Sequence, residues 1–154
     1  MDVNIKVYNI ILRIVQRFVR ETGRDQIRVL VEKRIVSTDG NTSGRQEIVV
    51  VEQVGPKAEQ LIFIVACEKC EDGLMQCLLA MYDAYQSNGK GSIFGFVTTG
   101  KRWRMLRFDG NSWQMSEEIL TIFDLFPIGK AKGVSKYVQV ADCVHFALEN
   151  GGRA

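Results

Sequence analysis

Apolar residues near the start of the chain recur at spacings of three and four. Val7, Ile11, Ile14, Val15 and Phe18 form one stripe, while Lys6, Arg13, Arg17 and Arg20 take the other side. This period predicts an amphipathic helix over residues 3–21 with a basic outer face. Thr22-Gly23 ends it. The pattern then changes to alternation. Residues 26–36 (QIRVLVEKRIV) read as a half-exposed strand, and the polar run STDGNTSG at 37–44, with its Asp-Gly pair, reads as a loop. A second strand is predicted over 46–54 (QEIVVVEQV), a Gly-Pro turn at 55–56 and a third strand over 61–67 (LIFIVAC). The third run is apolar on both faces, which belongs to the middle of a sheet.

Helical periodicity returns over 71–86 (EDGLMQCLLAMYDAYQ), with acids at its start where they suit the helix dipole. Strands over 92–98 and 102–108 flank a Thr99-Gly100 turn, a short strand covers 111–115, and a closing helix over 134–150 stops at Gly151-Gly152. The order helix, three strands, helix, strands, helix predicts an α/β (α+β) layered domain whose central sheet is covered by helices. No repeat or internal boundary divides it, so 1–154 reads as one domain, with helix 3–21 followed by a core over 26–152.

Composition adds little to that outline. A hydrophobic fraction of 46% with 25% charged residues is ordinary for a folded globular chain, which argues against disorder. A net charge of +2 leaves a nucleic-acid partner to be judged from local clusters of Lys and Arg. No apolar run reaches membrane-span length, and the start of the chain lacks the features of a signal peptide, so the expectation is an intracellular protein with no membrane partner. Cys67, Cys70, Cys77 and Cys143 are accordingly expected as reduced thiols. Cys67 and Cys70 have metal-ligand spacing, but a zinc site would need Cys143 or His145 from the distant last helix, and buried thiols are the expected outcome. His145, on an apolar helix near Asp142, is expected as a core histidine.

The third strand ends in IVACEK, residues 64–69. Metal-dependent nucleases of the PD-(D/E)XK type use an acid on one strand, an acid and a lysine two apart on the next, and a helix packed beside them. The two carboxylates hold Mg²⁺ or Mn²⁺ at the scissile phosphate, and the lysine activates water or stabilises developing charge. Glu47, near the start of the second strand, stands where the first acid would. Alternation puts Val65, Cys67 and Lys69 on one face of the third strand and Ile64, Ala66 and Glu68 on the other. Only a bulge or the strand's end at Glu68 brings Glu68 and Lys69 to the side of Glu47. Two readings therefore stand: a metal site on Glu47 and Glu68 with Lys69 as its lysine, and an ordinary strand ending in two solvated charges.

A second constellation is TTGKRWRMLRFDG, residues 98–110, where Lys101, Arg102, Arg104 and Arg107 interleave with Trp103 and Phe108. Cationic side chains can contact phosphates while a tryptophan stacks on a base. The plainer reading is an edge strand with solvated arginines and Trp103 in the core.

The segments GLMQCLLAMYDAY (73–85), IFGFVTTGKRWRMLRFDG (93–110), EEILTIFDLF (117–126) and YVQVADCVHFALENGG (137–152) together resemble the C-terminal domains of crinkler-type proteins of fungi and oomycetes, which lie in or close to the PD-(D/E)XK nuclease-like group. The resemblance spans residues 36–152, and FVTTG-x-x-W-R-M is its most specific run. It implies a restriction-endonuclease-like three-layer fold with a mixed central sheet, DNA as ligand, and action in a nucleus, a host cell's nucleus where such a protein is an effector. It also places Glu47 at the first acid and Gln76 at the polar position on the helix beside the site. Where such nucleases read like V-E-A-K, this chain has Val65-Ala66-Cys67-Glu68 or its one-residue shift, and either register loses a catalytic group. A tyrosine four residues after such a glutamine is replaced here by Ala80.

The expectation is thus a nuclease-fold domain with a degenerate metal site that binds DNA without efficient cleavage, with Lys101, Arg102 and Arg104 on phosphates and Trp103 as stacking group. The alternatives are an active Mg²⁺- or Mn²⁺-dependent endonuclease using Glu47, Glu68, Lys69 and Gln76, and a module that dimerises or binds a protein through the N-terminal helix.

Overall fold

A computed structural model describes residues 3–38, 41–67, 72–89, 91–121 and 128–152. The chain runs α1 (Val3–Thr22), β1 (Ile27–Thr38), β2 (Asn41–Gly55), β3 (Ala58–Cys67), α2 (Asp72–Asn88), β4 (Ile93–Thr98), β5 (Arg102–Phe108), β6 (Trp113–Met115), β7 (Ile119–Leu120) and α3 (Ile128–Asn150). Among the described residues the strands make one seven-stranded sheet in the order β1-β2-β3-β4-β5-β6, with β7 also pairing β5. β1, β2 and β3 form an antiparallel meander, α2 carries the chain over to β4 parallel to β3, and β5 returns antiparallel. A helix is the usual way to join parallel neighbours, because a tight turn cannot reverse the chain twice.

Both faces of the sheet are covered, which makes a three-layer α/β domain. One core cluster joins Val7, Ile11, Val15 and Phe18 of α1 and Val140, Val144, Ala147 and Leu148 of α3 to Phe63, Val65, Phe94 and Phe96 of the sheet. The other joins Cys77, Ala80, Met81 and Ala84 of α2 to Ile64, Ala66, Val97, Leu106 and Phe108. β3 and β4 lie between the two clusters, which is why both are continuously apolar. Alternation on β3 is interrupted at Ile62, where a register shift between Val50 and Val51 leaves one extra residue on the β3 side. From Phe63 to Cys67 it is regular again: Phe63, Val65 and Cys67 belong to the α1/α3 face, Ile64 and Ala66 to the α2 face.

The apolar stripe of α1, one alternative for which was pairing with a partner helix, is buried in the chain's own core at Val7, Ile11, Val15 and Phe18. That removes the basis for dimerisation through this stripe. The predicted loop over 37–44 is also corrected: β1 and β2 are paired out to Thr38 opposite Asn41, so only residues 39–40, which lie outside the described ones, separate the two strands. Ladder hydrogen bonds continue through residues of low intrinsic strand preference. α3 begins at Ile128 rather than 134; Gly129 and Gly133 weaken the helical signal at its start. β7, of two residues, carries no pattern of its own.

α2 lies close to the sheet because its inward positions are small, with Gly73, Cys77, Ala80 and Ala84 all buried. Gly95 on β4 completes the approach. A Cβ at this position would run into Met81 Sδ and lie 2.8 Å from Cys77 Sγ. Gly95→Ala is therefore expected to lower stability by about 1–3 kcal/mol, the usual cost of overpacking, read as a lower denaturant midpoint at unchanged slope.

Candidate functional site

The C-terminal ends of β3 and β4 and the first residues of β5 meet at one end of the sheet. In open α/β sheets, ligands bind beyond the carboxyl ends of the parallel strands. Here the ladder aligns Glu47 of β2 with Ala66 of β3, Ala66 with Val97 of β4, and Val97 with Arg104 of β5. Cross-strand partners share a face, so the whole row lies on the α2 side. Glu47 is 2% exposed, and both its carboxylate oxygens are sealed from water. Arg104, three strands or about 14 Å away, extends to the surface with its side chain 42% exposed.

The register decides which residue of β3 stands beside Glu47: it is Ala66, a methyl group without an oxygen donor. Glu68 and Lys69, expected to complete the site, lie outside the described residues. The two register shifts on the β2–β3 ladder fall at Val50/Val51 and Gln53/Gly55, away from this end. Gln76 is half-buried in the second turn of α2, the helix that starts shortly after β3 ends. A hard divalent cation takes several oxygen donors. Among the described residues no group of three Asp, Glu, His or Cys side chains could hold one, so these residues do not fit a Mg²⁺ or Mn²⁺ site by themselves.

The β4–β5 turn is built by threonines. The Gly100 N–H donates to buried Thr98 Oγ1 at 2.9 Å, and Gly100 adopts φ 94°, which favours glycine. The Arg102 N–H donates to Thr99 Oγ1 at 3.2 Å. Strand alternation then separates the residues that adjoin in the sequence. Arg102 and Arg104 point to the α2 side, where Arg102 Nη1 lies 3.0 Å and Arg104 Nη2 3.7 Å from the carboxylate of Glu118. Lys101 is exposed at the turn, and its carbonyl accepts from the Thr121 N–H at 2.7 Å. Trp103 points to the opposite face and is 2% exposed within the α1/α3 core. It is therefore not the stacking group that the sequence suggested: a period of two cannot place Trp103 and the two arginines on one surface.

The exposed tryptophan is Trp113, on β6 opposite Phe108 and therefore on the α2 face. Its indole stacks on the Phe108 ring at 4.2 Å and 17°. The Asp109-Gly110 turn before it was the available signal, since a tight hairpin after Phe108 returns the next strand to the same face. Asp109 Oδ1 accepts from the backbone N–H groups of Asn111 and Ser112, both at 2.8 Å. Gly110 takes φ 95° under the Tyr85 ring, where a Cβ would strike the tyrosine.

The described cysteines and His145 pack in or beside the two cores. Cys77 is buried against α2's own Met81, with Sγ 3.9 Å from Met81 Sδ. Cys67 and Cys143 pack at the edge of the other core, and burial with the nearby Asp142 carboxylate pushes the Cys143 thiol up. Cys70 lies outside the described residues. His145 meets the Phe18 ring edge-on at 5.0 Å, with Nδ1 3.3 Å from Glu149, and is half-buried.

Comparison with protein-family profiles, with curated proteins and with solved structures found no match to this chain. No helix among the described residues is long and apolar enough to cross a membrane.

The two backbone bonds hold the Asp109 carboxyl below its ordinary value of 3.8. A group whose folded-state value is lowered contributes stability above the unfolded value and loses it as pH falls through the folded one. The β5–β6 turn is thus expected to stay intact at pH 4–5 and to loosen only in stronger acid. Carboxyl resonances of Asp109 followed through an acid titration check this, and a midpoint above the ordinary value would contradict it.

Proposed function

We propose that this chain is a nucleic-acid-binding domain on a restriction-endonuclease-like framework, of the crinkler type its sequence resembles, and that it holds DNA without cleaving it efficiently. The framework is supported by the antiparallel β1–β3 meander, the α2 crossover into parallel β4, and an acid on β2 beside the end of β3 with a helix on the same face. One observation carries the functional reading: the row Glu47–Ala66–Val97–Arg104 sets a buried carboxylate and an exposed guanidinium on one face, at the carboxyl end of the parallel pair β3–β4.

Two features favour binding over hydrolysis. Ala66 occupies the place beside Glu47 where a metal-binding carboxylate would stand, and the described residues do not assemble a donor set for a hard cation. The arginines, by contrast, suit phosphate. Arg102 and Arg104 share the single carboxylate of Glu118, so two cations face one anion, and Arg102's side chain is 62% exposed. Exposed ion pairs contribute little and exchange readily, whereas a guanidinium grips phosphate through two parallel hydrogen bonds. A nuclear setting, which the resemblance implies, goes with DNA as the ligand.

Supercoiled plasmid incubated with the purified protein in Mg²⁺, Mn²⁺ or EDTA is expected to be retarded without being nicked. Nicking that requires metal and disappears in Glu47→Gln would replace this reading by that of an active nuclease, and neither retardation nor nicking would end both. Replacing Arg102 and Arg104 together by alanine should weaken binding and lower the slope of log affinity against log salt by about two units, one per lost phosphate contact. An unchanged slope would remove the pair from the interface.

A further inference from the structure

α2 is apolar on two sides. Its small residues face the sheet, but Met75, Leu79 and Tyr82 are exposed, at 60%, 58% and 49%. Exposed apolar side chains gathered in one patch mark a contact surface. Between its outer side and the β5–β6 hairpin runs an open groove of about 450 Å³, lined by Leu74, Leu78, Leu79, Tyr82, Trp113 and Met115, among others. Trp113 is 43% exposed there, with one face of its indole fixed on Phe108 and the remainder turned to the groove.

Charge stands at the groove's rim. Arg104 Nη1 approaches Met115 Sδ to 3.8 Å, so the guanidinium that faces Glu118 also borders the apolar lining. Arg102 lies beside it on the same carboxylate. An apolar trough with a fixed aromatic plane at one side and guanidinium groups at its end matches one chemistry closely: a nucleotide strand, with a flat apolar base and an anionic phosphate in alternation. A protein helix would cover the leucines but offers an anion only where its own sequence carries one, whereas every nucleotide of a strand carries a phosphate.

We propose that this groove binds single-stranded nucleic acid, with an unpaired base stacked on Trp113 and the adjoining backbone phosphate held by Arg104 and Arg102. The inference rests on the nucleic-acid reading above and narrows it, because a base already paired and stacked in a duplex cannot enter the groove. Aromatic stacking is tolerant of sequence, so the site selects unpaired strands over duplex without selecting a particular base.

The test uses the whole chain and its two tryptophans, of which Trp103 is buried away from contact with a ligand. Oligo(dT) and oligo(rU) are titrated against the intrinsic fluorescence, beside a duplex of equal length; the two single strands separate DNA from RNA as the source of the base. Quenching by a single strand, with the duplex bound more weakly, is expected. Trp113→Ala should reduce single-strand affinity about fivefold to a hundredfold, the range for one lost base stack, while Trp113→Phe retains most of it and both variants still unfold in one cooperative thermal transition. If Trp113→Ala binds the single strand as tightly as the wild type while Arg102→Ala still weakens it, the groove inference fails and the nucleic-acid reading stands. If neither single strand nor duplex binds, both fail. A molecular mass that rises with concentration and falls back in Trp113→Ala would instead make the groove a contact between copies of the chain, and would overturn the proposal.

Discussion

Burial of β3 and β4 on both faces is the constraint on which the rest of the molecule depends. Phe63, Phe94 and Phe96 fill one side and Ile64, Met81 and Ile93 the other, all nearly inaccessible to water. Each such side chain contributes about 1.5–3 kcal/mol on burial. Two central strands can be this apolar only if helices cover both faces, so α1 with α3 and α2 are required together. The close seat of α2 then follows from Gly95 and the small residues opposite it. That seat fixes the height at which Leu78 and Tyr82 stand above the β5–β6 hairpin, and so the groove itself.

The same density of apolar residues made the fold legible. Alternation over QIRVLVEKRIV and the unbroken LIFIVAC reported an outer and a central strand, because burial on one face or two leaves different patterns in the residues. The hairpin tip at 37–44 and the start of α3 were misread where polar residues and glycines sit inside regular structure held by neighbours. Site residues were harder, since a motif read in a line ignores which way each side chain turns. Lys101, Arg102, Trp103 and Arg104 are contiguous in the chain, yet the strand sends Trp103 into the core. Trp113, ten residues on, returns to the arginines' face through the hairpin. Likewise IVACEK left two registers open, and only the ladder puts Ala66 against Glu47.

Burial also sorts the ion pairs by use. Arg24 binds both oxygens of Glu52 at 3.0 and 2.8 Å with most of each side chain shielded, and its ring-side face rests on Phe18. Exchanging such a partner would leave an uncompensated charge in a shielded place. Glu118, between Arg102 and Arg104, is at the surface, where water can replace either contact. The same two residue types are thus fastened where they are shielded and left exchangeable where they are exposed, and depth alone separates the two uses.

Arg24 also joins distant parts of the chain. Its third contact donates to the carbonyl of Leu148, 124 residues further along, and the core under α1 is completed by Val140, Val144, Ala147 and Leu148 of α3. A face whose two halves lie this far apart in sequence closes only through non-local contacts, so loop-closure entropy opposes its assembly until burial offsets it.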